Sequence, residues 1–209
     1  MHSTTTVLSI DTSTQLLSLS LCHQGIIYQS CHQTEKHANS ITKTIQSLCQ
    51  QAQTPLPSIG VITVNIGPGS FTGLRVGLAS AQALAHALNI PIFPVKSSML
   101  IAYSAMSLHT DRTAHLDYCV LTDARLSQVY FSTYQANDKN FPVKSYADAV
   151  LDPQSLPDVN TIDHALRCGP GWHSYQEAIS PSWLQTQFIS THFEQEPEVS
   201  ARYTIDKLL

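Results

Sequence analysis

An α/β fold with two lobes is what this 209-residue sequence predicts. Two observations carry that expectation. Short apolar segments of alternating pattern give way to helical periodicity within the first hundred residues. A glycine-rich turn, Gly67-Pro68-Gly69-Ser70-Phe71-Thr72-Gly73, then joins a continuous apolar strand to a second helix. In order, Val7 to Asp11, Leu16 to Cys22 and Ile26 to Cys31 read as an antiparallel meander, with Leu17, Leu19 and Leu21 alternating with Ser18, Ser20 and Cys22. Ala38, Ile41, Ile45, Leu48, Cys49 and Ala52 then share roughly 100° of a helical wheel, and Pro55 and Pro57 stop that helix. Val61 to Ile66 is a strand, Gly73 to Leu88 a helix and Ile90 to Val95 a further strand, so the first lobe reads βββαβα.

Beyond residue 100 the pattern is sparser. Met99 to Met106 reads as helix, Tyr118 to Thr122 and Val129 to Tyr134 as strands, and Gly169-Pro170-Gly171 as a turn before a short helix from Trp172. Residues 135–165 read as loops and small elements, and no internal repeat is visible. The expected division is 1–104 for the first lobe and 105–209 for a smaller second one.

Composition narrows the function classes. Hydrophobic residues make up 43%, enough for a sizeable core, and charged residues only 12%, about half the usual share. Eleven Lys and Arg against 15 Asp and Glu leave a net charge of −4, no reserve for gripping nucleic acid unaided. No apolar run reaches the roughly 18 residues of a membrane span. The start, Met1-His2-Ser3-Thr4-Thr5-Thr6-Val7, is not the basic-then-apolar pattern of a secretory signal, so a cytoplasmic location with no membrane association is expected. Cys22, Cys31, Cys49, Cys119 and Cys168 are widely spaced and read as five buried hydrophobes; Cys22 is expected opposite Ile27 in a hairpin, too far along from Cys31 to bridge it. The ten histidines form no ligand pattern, so no metal site is expected.

Four features could carry chemistry. The glycine-rich turn lacks the lysine of a P-loop, since Leu74 follows Gly73, and lacks the flanking glycines of a nucleophile elbow, since Pro68 and Thr72 surround Ser70. It is either a tight strand-to-helix turn or a phosphate-facing loop. Asp11-Thr12-Ser13-Thr14 is either an Asx/ST turn or a second loop beside phosphate, with Asp11 holding a metal-bound water. Asp123-Ala124-Arg125 ends another strand, as a salt-bridged turn or a further phosphate or metal loop, and His37 opens the first helix as a capping residue or a ligand. No paired-acid or Ser-His-Asp set can be spelled.

The second helix is apolar or small except for a polar stripe of Arg75, Gln82 and His86 about 40° wide. Gly73, Gly77 and Ala81 recur every four residues. Such a helix is either sunk in a larger core of the same chain or presented to a protein partner.

The segments Leu8 to Thr14 and Gly67 to Gly77, with Asp123-Ala124-Arg125 before Val129-Tyr130 and Gly169-Pro170-Gly171-Trp172, resemble the TsaB (YeaZ) family over residues 7–175. The resemblance implies an actin/Hsp70/sugar-kinase-like (ASKHA) two-lobe fold with mixed sheets flanked by helices. It also implies a role in making threonylcarbamoyladenosine on tRNA, as the non-catalytic scaffold partner of the transferase TsaD, with TsaE supplying ATPase activity and tRNA bound only through the complex. The first two helices would form the dimer surface, with TsaD or, in isolation, a second copy; here that surface is His37, Ile41, Leu74, Gly77, Leu78, Ala81 and Ala85. No cofactor of its own is expected, ATP or ADP at the TsaD interface being the one candidate. Asp11, Thr12, Ser13, Thr14, Gly67, Pro68, Gly69 and Ser70 are the nucleotide-facing candidates. The catalytic relative's H-x-x-x-H motif is absent, because Ile41 stands four residues after His37, and Asp123-Ala124-Arg125 lacks the family's glycines. The resemblance implies a further C-terminal helix and tail that the sequence does not carry past Leu209. The rival expectation is an enzyme on the same fold, an ATP-dependent phosphotransferase or a peptidase.

Overall fold

The computed structural model describes residues 5–33, 37–109, 116–139, 141–162, 164–191 and 198–208, which divide into two compact units. Unit one holds strands β1 (Thr6–Asp11), β2 (Leu16–His23) and β3 (Ile26–Gln33), helix α1 (His37–Gln51), strand β4 (Ile59–Asn65), helix α2 (Phe71–Leu88) and strand β5 (Ile92–Val95). Helix α3 (Ser97–Leu108) leads into unit two, with β6 (Asp117–Arg125), β7 (Gln128–Ala136), β8 (Pro142–Leu151), β9 (Ala165–Cys168), the short helices α4 (Gly171–Ser174) and α5 (Pro181–Leu184), and β10 (Gln187–Ile189). The last helix, α6 (Glu198–Leu208), returns to unit one. The division therefore falls at Ser97/Ser98 rather than after residue 104, and the C-terminal residues do not belong to the second lobe. A returning helix is decided by long-range packing, which no local pattern encodes.

The sheet of unit one runs β3-β2-β1-β4-β5, antiparallel through the meander and parallel from β1 onward. Alternation sorts its side chains to two faces. Leu8, Ile10, Leu19, Ile62 and Val64 join Ile41, Ile45 and Leu48 of α1 and Ala81 and Ala85 of α2 in one core. Val7, Cys22 and Val61 lie in a smaller cluster with Ile205 of α6, on the opposite face. There Thr63 Oγ1 and Thr204 Oγ1 share a buried hydrogen bond of 2.7 Å. The predicted stripe of α1 is buried except for Ala38, and the opposite positions Asn39, Lys43, Gln46 and Gln50 are exposed. The helix ends where Gln53 takes a left-handed φ of 50°, ahead of Pro55. Cys22 does face Ile27, and Cys31 faces Ser18. Cys22, Cys49, Cys119 and Cys168 are buried as expected, but Cys31 is exposed, because β3 is the edge strand and its last three residues have no cover.

Unit two repeats this plan. Its sheet, read from the β8 edge, runs β8-β7-β6-β9-β10, again three antiparallel strands followed by two parallel ones. The repeat escaped the sequence because the elements between the strands differ. An 18-residue helix follows β4, and two four-residue helices follow β9. Trp172 and Trp183, both 1% exposed with ring centroids 5.0 Å apart, fill the space. Strand β8 lies within the stretch expected to be loops. It breaks register with β7 twice, between Phe131 and Thr133 and between Thr133 and Tyr134, and such bulges erase the two-residue period. α3 is buried around most of its circumference, in keeping with a sequence of apolar residues and serines that carries no charge. No described helix is long and apolar enough to cross a membrane.

Candidate functional site

The ends of β1 and β4 in unit one meet the start of α2, and a polar knot forms there. Asp11 closes β1 and accepts the Ser13 N–H on Oδ1 at 2.8 Å, the Asx turn expected of this sequence, while Thr14 Oγ1 accepts the Leu16 N–H at 3.1 Å. Asn65, at the end of β4, is 1% exposed and uses both ends of its amide. Its Nδ2 donates to Asp11 Oδ2 at 2.7 Å and to Ser13 Oγ at 3.2 Å; its Oδ1 accepts the Gly67 N–H at 2.8 Å and the Ser97 hydroxyl at 3.0 Å. Ser97 Oγ also lies 2.7 Å from the Pro68 carbonyl oxygen. Asn65 is a residue that sequence reasoning passed over. The available signal was an amide inside a buried apolar strand, which must find partners or cost stability.

The glycine-rich turn folds onto this knot. Gly67-Pro68 is a cis peptide, Ser70 caps α2 by accepting the Gly73 N–H at 3.3 Å, and the Ser70 N–H donates to the Ser13 carbonyl at 2.6 Å. Thr12 Oγ1 donates to the Gly73 carbonyl at 2.8 Å. A Cβ on Gly73 would overlap the Thr12 carbonyl oxygen, and one on Gly69 the Ser13 carbonyl oxygen. The clearance these glycines provide is filled by the chain's own hairpin. The structure thus brings Asp11, Thr12, Ser13, Gly67, Pro68, Gly69 and Ser70 together as the sequence grouped them, with Thr14 one step out, bracing the turn. Their arrangement is that of a tight turn. It does not fit a phosphate seated as deeply as a P-loop seats one.

Asp123-Ala124-Arg125 is the counterpart in unit two. Asp123 Oδ1 accepts the Tyr175 hydroxyl at 2.6 Å and the Arg125 N–H at 2.9 Å. The Tyr175 hydrogen bond is the main cause holding the Asp123 carboxyl below the ordinary carboxylate range, and it raises Tyr175 in return. The Arg125 Nε lies 3.9 Å from Asp123 Oδ2 with both side chains well exposed, a weak ion pair. Gly171 opens α4 against Leu121, whose carbonyl carbon would lie 2.8 Å from a Cβ there. Trp172 Nε1 donates to the Cys119 carbonyl at 2.9 Å. Burial pushes the thiols of Cys119 and Cys168 far above the ordinary thiol range. No cluster of three or more His, Cys, Asp or Glu side chains suited to a metal occurs among the described residues.

The helical face must be redrawn. Gly77, Ala81 and Ala85 are buried against the chain's own sheet, as is Gly73, so the four-residue repeat lets α2 lie close to its own strands and offers nothing to a partner. A Cβ on Gly77 would overlap Thr12 Oγ1. Ile41, 2% exposed, belongs to the same core. Leu74 is half-buried and Leu78 is 37% exposed; the side chain of His37 lies outside the described residues. The outward arc of α2 is Arg75, Ala79, Gln82, Ala83 and His86, flanked by Phe71, 69% exposed, and Leu78. The Arg75 guanidinium carbon sits 3.9 Å from the Phe71 ring centroid.

Fold and site define a class, a two-unit ASKHA-like protein whose glycine turn clasps its own hairpin and whose second helix shows an apolar flank to the outside. The solved structure of YeaZ from Pseudomonas aeruginosa superposes with a TM-score of 0.78 at 24% identity, covering 97% of this chain and 93% of that one. A polyphosphate/ATP-glucomannokinase from Arthrobacter superposes at 0.52 with 8% identity, covering 98% and 99%, a likeness of fold alone. The family model described as TsaD, tRNA N6-adenosine threonylcarbamoyltransferase, matches residues 24–181. The tRNA threonylcarbamoyladenosine biosynthesis protein TsaB of Haemophilus influenzae is 28% identical over 183 residues, 82% of this chain and 75% of its own. That of Escherichia coli is 27% identical over 183 residues, 85% and 77%. The chain belongs to the TsaB/YeaZ family.

Proposed function

We propose that this chain serves threonylcarbamoyladenosine formation on tRNA as a non-catalytic subunit, stabilising and activating the TsaD transferase of its organism through the outer face of α1 and α2. The single observation that carries the reading is that face, where Phe71 and Leu78 stand exposed beside the small side chains Ala79 and Ala83. Exposed aromatic and aliphatic side chains on a rigid helix are the usual anchors of a protein interface. The names of the relatives supply the pathway, and the self-satisfied knot at Asp11 and Asn65 supports a scaffold over an enzyme. In this reading the chain works in the cytoplasm, pairs with itself when TsaD is absent, meets tRNA only within the complex and joins a TsaE homologue there. Any ATP or ADP is held at the interface with TsaD.

The test is a reconstituted modification reaction with TsaD and TsaE homologues, scored as modified adenosine per tRNA. Omitting the chain should lower product at least about tenfold, and Leu78→Glu, which sets a charge in the apolar flank, should do the same while leaving the fold intact. Unaltered product without the chain overturns the proposal. So does ATP or peptide turnover by the purified chain alone that is lost on Asp11→Ala and kept on Leu78→Glu.

A further inference from the structure

The sheet of unit one has two faces of different chemistry. Leu8, Ile10, Leu19, Leu21, Ile62 and Val64 fill the face under α1 and α2. The face under α6 carries a row of hydroxyls instead. Register sets Ser20 of β2 beside Ser9 of β1, and Ser9 beside Thr63 of β4, none of them more than 2% exposed. α6 packs over these strands and adds Ser200 and Thr204, 4% and 0% exposed. Thr63 and Thr204 satisfy each other. Ser9 Oγ and Ser200 Oγ are buried with no hydrogen-bond partner among the described residues. The apolar part of the dock is small: Ile205 with Val7, Cys22 and Val61, and Tyr203 with its ring centroid 6.4 Å from that of Phe93.

A buried hydroxyl without a partner regains its hydrogen bonds when water reaches it, so Ser9 and Ser200 each weaken the docked state about tenfold relative to an alanine. Hydroxyls at Ser20 and Thr63 also keep the uncovered sheet compatible with water, as the leucines of the opposite face would not be. Valine at Ser9 and Thr63, as at Val7 and Val61 in the neighbouring row, would have suited permanent cover. We infer that α6 docks as a releasable strap: it lifts as a whole while the sheet and its core with α1 and α2 stay folded, and it uncovers Cys22 as it lifts. Cys22 is 5% exposed and shares a cluster with Ile205. Asp11 and Asn65 project from the same face, two residues beyond Ser9 and Thr63, so the strap also governs how far water reaches the polar knot. The device belongs to unit one alone and holds whatever partner the chain takes.

The test is hydrogen exchange of the full chain at urea concentrations below its unfolding transition. It is read beside alkylation of Cys22 by iodoacetamide, in a Cys31→Ser background that removes the exposed thiol. Amides of α6 should exchange at least about a hundredfold faster than those of β1 and β4 and depend little on urea, the mark of a local opening. Cys22 should be alkylated through the same urea-insensitive opening; fraying of the last turn alone would leave it covered. Ser9→Ala and Ser200→Ala each remove an unpaired hydroxyl and should slow both readouts about tenfold, the opposite of what a packing defect does. Thr204→Val, which strips Thr63 of its partner, should speed them by a similar factor. Amides of α6 that share the rates and steep urea dependence of β1 and β4 would overturn the inference, and so would Cys22 alkylation that occurs only with global unfolding. Faster exchange of α6 in both serine variants would overturn it as well.

Discussion

The two units cover similar sheets in opposite ways. In unit one a long helix packs closely on one face of the sheet, its start against Thr12, because Gly73, Gly77, Ala81 and Ala85 present almost nothing to it. In unit two the helices after β9 are one turn each, and Trp172 and Trp183 supply the volume. Small side chains allow close approach over a long distance; large ones fill a gap that a short helix leaves. Only the first solution leaves a long, rigid helix with a free outer face, and that is where an interaction surface can be built. The second leaves an exposed turn at Asp123 and Leu126, and the exposed side chains Val143, Tyr146 and Val150 along strand β8, with no long helix to carry them.

The comparison can be broken from either side. Trp172→Ala removes a fully buried ring and its hydrogen bond to Cys119, and should cost about 4 kcal/mol in urea unfolding. Gly73→Ala adds a single methyl where the Thr12 carbonyl already sits, and should cost about 3 kcal/mol. The added methyl probes the close crossing in unit one, and the removed ring probes the filled gap in unit two. A Gly73→Ala protein as stable as native would mean that the hairpin yields and that the close crossing is not required.

The smallest effect is expected at Asp123, whose carboxyl is held low chiefly by the Tyr175 hydroxyl. A depressed folded value means the stabilisation is present above the unfolded carboxylate value near 4 and is lost as pH falls through the folded one. Asp123→Asn should therefore change stability at pH 7 by no more than about 0.5 kcal/mol, because the pair is exposed. Its visible consequence is a shallower loss of stability below pH 4, measured as thermal midpoint against pH. An unchanged acid limb would show that the Tyr175 bond is not populated in solution.

Much of unit one was legible in the sequence because its cues are local. Alternating Leu17, Leu19 and Leu21, the stripe Ile41–Ile45–Leu48 and the glycine turn each announce an element without help from distant residues. What periodicity could not tell is what each face meets. Gly73, Gly77 and Ala81 share a stripe, as read, but the stripe, which Ala85 continues, packs on Thr12 and the sheet. Asn65 became visible only once β1 stood beside β4, a parallel pairing across more than fifty residues. The same holds for the return of α6 to unit one and for β8, whose bulges scramble its period. Asp11 to Ser13 lie beside Gly67 to Ser70, and what no motif carries is that the two loops satisfy each other.

The most direct test of the account is the mass of the complex. Purified chain mixed with the TsaD homologue of its organism is weighed by light scattering, with native chain and with Leu78→Glu in parallel. One-to-one assembly of the native chain, lost on Leu78→Glu while that variant remains a folded monomer, is the predicted result. A native chain that stays apart from TsaD, or a complex that survives the substitution, would contradict the claim that the outer face of α1 and α2 is where this protein acts.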